Sequence, residues 1–168
     1  MAEKEYLAGM EKPLMEDWRD APVFGVRIET QRYTVRPSVY GVIEDGHGQI
    51  AVVRTPQGFT LPGGGIEEGE TTEQAAVREA LEECGLAVRV GSWEIRAVQF
   101  IYSESERTHF EKWSIFVDAT VEAVAGPGTE ADHELVWMTP EAASEVLLAE
   151  SHRWAVRSRP AAAAGRRQ

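Results

Sequence analysis

Residues 64–86, GGIEEGETTEQAAVREALEECGL, concentrate the side chains best suited to holding a hard cation. Seven glutamates (Glu67, Glu68, Glu70, Glu73, Glu79, Glu82 and Glu83) stand against Arg78, so the window carries 1 − 7 = −6 of the chain's net −11. If the stretch is helical, Glu79, Glu82 and Glu83 fall at i, i+3 and i+4 and are neighbours on one face. Val77, Ala80, Leu81 and Cys84 follow i, i+3, i+4 and i+7 as an apolar stripe, with the glutamates opposite. Like charges at this spacing repel, and they lie beyond the first turn where the helix dipole would favour them. Clustered carboxylates of this kind are ligands for Mg²⁺ or Mn²⁺, which bind oxygen alongside waters and substrate phosphates. Gly63-Gly64-Gly65 gives a turn without side chains, where backbone can approach a ligand or offer a carbonyl to a metal. Arg78 is within reach of the acidic loop, where a charge-assisted bond to Glu70 would lock loop to helix. For any one of these glutamates a solvated helix face is the plainer alternative. The glycine turn, the acidic loop, the arginine and the helix caps together favour the cation site.

The rest of the chain limits what such a site can serve. Its 168 residues (18.6 kDa) suit one domain with a real core. Seventeen basic residues against 28 acidic ones argue against gripping a nucleic-acid backbone. An anionic ligand would instead need a cation to neutralise it. The lone Cys84 excludes an intrachain disulfide and a cysteine-based zinc site. No apolar run reaches the ~18 residues of a membrane span, and the acidic start does not read as a secretory signal. The expectation is a cytoplasmic protein with no membrane partner.

The elements that must position the glutamates can be read in turn. Residues 1–31 form a partly ordered lead-in, with a turn or two of helix near Leu14, Met15 and Trp18. Residues 32–158 form the domain, and 159–168 a flexible tail. Two β-rich segments, 33–43 and 49–54, flank the turn Glu44-Asp45-Gly46-His47-Gly48 as a hairpin. A short strand at Phe59–Leu61 enters the glycines. Thr71-x-x-Gln74 forms a capping box and Gly85 a left-handed stop, which predicts a helix over 72–84. Strands follow at 86–90, around 94–102, at 113–121 and at 134–138. Thr139-Pro140 then opens one terminal helix. The class is mixed α/β.

The segment resembles the Nudix box of the MutT-like hydrolases, Gly-x5-Glu-x7-Arg-Glu-U-x-Glu-Glu-x-Gly-U, where U is aliphatic. The matches are Gly64, Glu70, Arg78, Glu79, Ala80, Glu82, Glu83, Gly85 and Leu86, with Ala80 smaller than usual. Leu61-Pro62-Gly63-Gly64-Gly65 and Glu134-Leu135-Val136-Trp137 are also similar to the family, and the resemblance covers roughly 37–148. It implies an α/β/α sandwich around a mixed β-sheet, with the box as loop–helix–loop. It also implies a Mg²⁺- or Mn²⁺-dependent hydrolase that cleaves a pyrophosphate bond in a nucleoside diphosphate linked to another moiety, by water attack on phosphorus. On that resemblance Glu82 and Glu83 are metal ligands, Glu79 is a ligand or the general base, and the Gly64 carbonyl is a further ligand. Arg78 and Glu70 form the supporting pair, while Gly63, Gly65 and Gly85 shape the backbone. In this family the general base often lies outside the box. Glu134 is the choice carried forward, with Glu130, Asp132 and, less favoured, Glu111 as alternatives.

Substrate signals are sparser. No proline occurs between Pro62 and Pro127, against an ADP-ribose-type pattern, and the Ser-Gln-Pro-Trp of NADH-type members is absent. Tyr102, sixteen residues after Leu86, is similar to the diadenosine-polyphosphate pattern and gives a lean to dinucleoside polyphosphates. Arg54 is a candidate phosphate contact, and Phe59, Phe100, Tyr102 and Trp137 are candidate surfaces for a base, although core packing is the plainer role for each aromatic. Four histidines (His47, His109, His133 and His152) show no metal spacing and receive no role. Damaged nucleoside triphosphates and nucleotide sugars stay open as substrates, as does a non-catalytic nucleotide-sensing module. The partner expected is a small nucleotide, not a nucleic-acid polymer, and a homodimer would be in keeping with the family.

Overall fold

Eight strands and three helices make up residues 18–161, the part described by the computed structural model. The helix anticipated around Leu14 and Met15, and most of the tail, lie outside the described residues. In chain order the elements are β1 (Val23–Phe24), β2 (Thr34–Glu44), β3 (Ile50–Thr55), β4 (Gly58–Thr60), β5 (Gly63–Gly65), α1 (Thr72–Cys84), β6 (Leu86–Ser103), β7 (Thr108–Val124), β8 (Glu134–Met138), α2 (Pro140–Val146) and α3 (Glu150–Ser158).

The sheet runs β1-β6-β7-β2-β3-β4, with β5 also on β2 and β8 also on β3. It is mixed. β2 and β7 are parallel over the full register from Thr34↔Phe110 to Glu44↔Thr120, whereas β6–β7, β3–β8 and β2–β5 are antiparallel. Side chains alternate across a strand, and here the alternation divides two cores. Val39, Ile43, Ala51 and Val53 point to the α1 face, with Ala75, Ala80 and Cys84. Tyr40, Val42, Ile50 and Val52 point to the other face, with Ala143 of α2 and Ala155 of α3. Helices therefore cover both faces, as an α/β/α sandwich. No helix among the described residues is long and apolar enough to cross a membrane.

Several elements differ from the sequence expectation. The triglycine is not a free turn but a short strand, paired Ser38↔Gly65, Val39↔Gly64 and Tyr40↔Gly63. The two strands expected over 86–102 are one long strand with an irregularity between Val90 and Glu94. There the Trp93 amide donates to the Asp118 carboxylate at 3.0 Å. The single terminal helix is two, because the backbone at 147–148 is drawn to β4. Leu148 N–H donates to the Phe59 carbonyl at 2.9 Å, and Leu147 bridges Phe59. The lead-in also contributes: Val23 pairs with Val98, and Trp18 is buried against Trp113 with ring centroids 5.1 Å apart.

Two local features predict stability effects. Gly85 closes α1 at φ 65°, its amide bonded to Leu81, and an added Cβ would overlap the Gly126 carbonyl oxygen. Gly85→Ala therefore combines left-handed strain with a clash; urea unfolding should show a loss of about 2 kcal/mol or more. His152 is a core residue, its ring 4.2 Å from Tyr40 and its Nδ1 accepting the Leu61 amide at 3.3 Å. Burial pushes its pKa down to about 3, so the unfolded chain binds the extra proton below an ordinary pKa of 6.5. Stability thus falls as pH drops from 6.5 towards 3, by up to about 1.4 kcal/mol per pH unit. In His152→Gln, which keeps an acceptor, the slope between pH 6.5 and 5 should flatten in thermal unfolding.

Candidate metal centre and active site

Arg78 is the hub of the acidic segment. Its Nε and one terminal nitrogen grip Glu70 at 2.7 and 3.0 Å, and that same nitrogen donates to the Gly65 carbonyl at 3.0 Å. The other terminal nitrogen reaches Glu79 at 2.9 Å and Glu82 at 3.3 Å. Glu70 also accepts from the Glu67 amide at 2.9 Å, which closes the loop before α1. These bonds hold the Glu70 carboxyl below its ordinary range, and the surrounding carboxylates push the Arg78 pKa up. The capping box starts the helix at a fixed point: Thr71 Oγ1 accepts from Gln74 N–H at 3.1 Å and Gln74 Oε1 from Thr71 N–H at 2.9 Å.

The helix buries only half of the stripe read from the sequence. Val77 and Leu81 are exposed, while Ala75, Ala76, Glu79, Ala80, Glu83 and Cys84 face inward. Alanines let the helix sit close to the sheet, and two glutamates occupy positions that a structural helix would give to leucine. Glu83 is 4% exposed and takes the Gly63 amide at 2.7 Å on Oε1. Burial pushes its pKa up to about 8; the Gly63 amide opposes the rise, and Glu79, Glu130 and Glu82 add to it. Burial also raises Glu79, against the pull of Arg78. Gly63 lies too close to the Val39 carbonyl for any side chain, and a Cβ at Gly64 would stand 2.7 Å from Glu79 Oε1. The glycine strand is thus the close wall of the acidic pocket.

A second segment completes the pocket. The loop after β7 is fastened to the end of α1 by Ala125 N–H to Gly85 O at 2.8 Å and Thr129 N–H to Glu82 O at 2.7 Å. Gly128 approaches the Glu83 carbonyl too closely to carry a Cβ without displacing it. Glu130 and His133 are thereby delivered to the helix. Ligand atoms of Glu79, Glu82 and Glu130 lie within 4.8 Å of one another, as do those of Glu83, Glu130 and His133. His133 Nδ1 is 2.7 Å from Glu130 Oε2 and 3.0 Å from Glu83 Oε2, yet it is buried without a hydrogen-bond partner. Converging carboxylate oxygens, one carboxyl raised by burial and further by its neighbours, and an imidazole nitrogen without a hydrogen-bond partner are a donor set that suits a divalent cation.

Other residues singled out from the sequence lie elsewhere. Glu134 is exposed and pairs with Arg54 at 3.1 Å. The register Arg54↔Glu134 puts both on the face away from α1, so Glu134 does not reach the carboxylates. Phe59 lies on that face too, with Arg54 5.6 Å over its ring. Trp137 is on the α1 face, beside Leu135. The Tyr102 ring lies 4.7 Å from that of His109, tilted by 50°, near the end of the β6–β7 hairpin. Glu111 accepts from the Trp113 indole at 3.0 Å, and exposed Asp132 lies 3.9 Å from His133 Nε2. Sequence reasoning missed His133, for which no spacing rule exists. It also missed a cavity of about 100 Å³ on the α3 face, lined among others by Tyr40, Gln99, Lys112, Ser114, Ser151 and His152.

The Arg78 fork makes a direct prediction. Lysine cannot grip Glu70 with two nitrogens and also reach Gly65 and Glu79. Arg78→Lys should therefore lose roughly 2 kcal/mol in urea unfolding, with Glu70→Gln losing less because Arg78 keeps its other partners.

A NUDIX domain family model matches residues 34–160. The chain is 49% identical over 53 residues to the RNA pyrophosphohydrolase of Photobacterium profundum, covering 30% of each chain. It is 31% identical over 122 residues to that of Teredinibacter turnerae, covering 62% of this chain and 71% of the relative. The match thus spans under a third of the first relative's length. Among solved structures, a NUDIX hydrolase from Nitrosomonas europaea superposes with a TM-score of 0.55 at 19% identity, over 74% of this chain and 87% of the other. A MutT protein from Methanosarcina mazei Go1 gives 0.56 at 19%, over 76% and 94%. These structures share the sandwich, and the family match spans both the acidic helix and the loop that meets it: the chain belongs to the NUDIX domain family.

Proposed function

We propose that the chain is a metal-dependent hydrolase that cleaves a pyrophosphate bond in a nucleotide by water attack on phosphorus. The observation that carries this reading is the pocket itself, where Glu79, Glu82, Glu83 and Glu130 converge beside a side-chain-free glycine strand. Glu82 and Glu83 would hold Mg²⁺ or Mn²⁺, with Glu79 and the Gly64 carbonyl beside them. A bound divalent cation offsets charge on phosphate oxygens and lowers the pKa of water. Arg78 keeps Glu79 and Glu82 in place and ties the Glu70 loop to the helix. Glu130 belongs to both ligand triplets and is 40% exposed, so it can accept a proton from water entering the pocket. It takes the general-base role that sequence reasoning assigned to Glu134.

The nucleotide is a small molecule in this reading, with dinucleoside polyphosphates the first class to test because of Tyr102. The names of the curated relatives favour a second reading, an RNA 5′ end. The net charge of −11 weighs against a long RNA-binding surface.

The test is a turnover panel with Mg²⁺ or Mn²⁺: dinucleoside polyphosphates, nucleotide sugars, oxidised nucleoside triphosphates, ADP-ribose and 5′-triphosphorylated RNA. Turnover of one class is expected, with kcat falling about a hundredfold or more in Glu82→Gln and in Glu130→Gln. Metal and nucleotide binding without turnover of any class would replace the enzyme with a nucleotide-sensing module.

A further inference from the structure

The proximity of His133 to two carboxylates is not that of an ordinary ion pair. Its Nδ1 lies 2.7 Å from Glu130 Oε2 and 3.0 Å from Glu83 Oε2, within hydrogen-bonding distance of both, yet it is bonded to neither. At such distances neither contact has the direction of a hydrogen bond, so the nitrogen is close to both oxygens without being satisfied by either. A nitrogen so placed suits an ion shared with those oxygens. With ligands ~2.1 Å from an ion, the two separations subtend roughly 80° and 90° there, the cis angles of octahedral coordination.

Asp132 Oδ1 lies 3.9 Å from Nε2, beyond hydrogen-bonding distance, so the close polar contacts of the ring are all at Nδ1. With an ion bound there, Nδ1 would be its lone-pair donor and the ring proton would sit on Nε2. The ring sits in a fixed turn, since His133 N–H donates to the Glu130 carbonyl at 3.2 Å and Thr129 is bonded to the Glu82 carbonyl. Nδ1 is therefore presented to Glu83 by backbone that is itself fastened to α1.

We infer that His133 donates Nδ1 as a nitrogen ligand to an ion held by Glu83 and by one oxygen of Glu130, whose other oxygen is left to take the proton from water, and so biases the site towards Mn²⁺ over Mg²⁺. Imidazole suits first-row transition ions, whereas Mg²⁺ keeps to oxygen. The inference rests on the metal-centre reading given above and adds to it the identity of one ligand and a consequence for ion choice.

The test is three-pulse electron spin-echo spectroscopy on the full chain with Mn²⁺, alongside titrations of Mn²⁺ and of competing Mg²⁺. The wild-type protein should show ¹⁴N modulation, replaced by a ¹⁵N pattern after histidine labelling. The signal should vanish in His133→Gln, with circular dichroism unchanged. In that variant Mn²⁺ affinity should fall about tenfold or more, and Mg²⁺ affinity less than about threefold. Bound Mn²⁺ without nitrogen coupling, or coupling that survives in His133→Gln, overturns the inference and leaves a carboxylate-only centre standing. Failure of the wild-type chain to bind Mn²⁺ at all overturns the metal-centre reading with it.

Discussion

Turning a glutamate-bearing helix face inward is costly unless each carboxylate is met, and the fold is organised around meeting them. Arg78 joins Glu70, Glu79 and Glu82 through one planar fork, and the Gly63 amide takes Glu83. Neither compensation works alone. The fork needs the loop closed by Glu70 and started by the capping box. The amide needs a strand thin enough to lie between Val39 and the helix, which only glycine permits. What these contacts leave unbalanced is net negative, and it adds to the burial that raises Glu83. A cation removes that imbalance, so binding and helix placement are parts of one electrostatic problem.

Alternation along the strands separates this chemistry from the other half of the molecule. Leu135 and Trp137 back the acidic helix, whereas Glu134 and Arg54 belong to the face of α2 and α3. On that second face lie a neutral buried histidine and a small cavity bearing two serine hydroxyls, Ser114 and Ser151, without hydrogen-bond partners among the described residues. The two regions are joined by a short segment: Thr60 contacts His152, and Gly63, three residues on, contacts Glu83.

Much of this was legible in the sequence, and the failures have physical causes. The caps of α1, the Arg78–Glu70 pairing and the concentration of acid could all be read, because they depend on contacts a few residues apart. The helix's inner face could not. The hydrophobic template selected Val77 and Leu81, while close packing selected alanines, and the site selected Glu79 and Glu83. Glu134 was favoured over Glu130 although strand register, a long-range property, turns it away. The break after α2 came from Leu147 and Leu148 bonding to β4, which no local propensity encodes. His133 carried no signal because its partners stand 50 and 3 positions away (133 − 83 and 133 − 130) in no metal-binding spacing.

The manner in which the loop after β7 is fastened decides which side chains of the pocket can be exchanged at little structural cost. Its anchors to α1 from Ala125 and the Thr129 amide are main-chain bonds, indifferent to the side chains at positions 130–133. On the helix side almost every polar group is committed to another, so a replacement there disturbs the architecture. The two flanks of the pocket therefore differ in how freely their side chains can be exchanged. A replacement on the helix disturbs the scaffold, whereas acid and imidazole can be exchanged in the loop without rebuilding it.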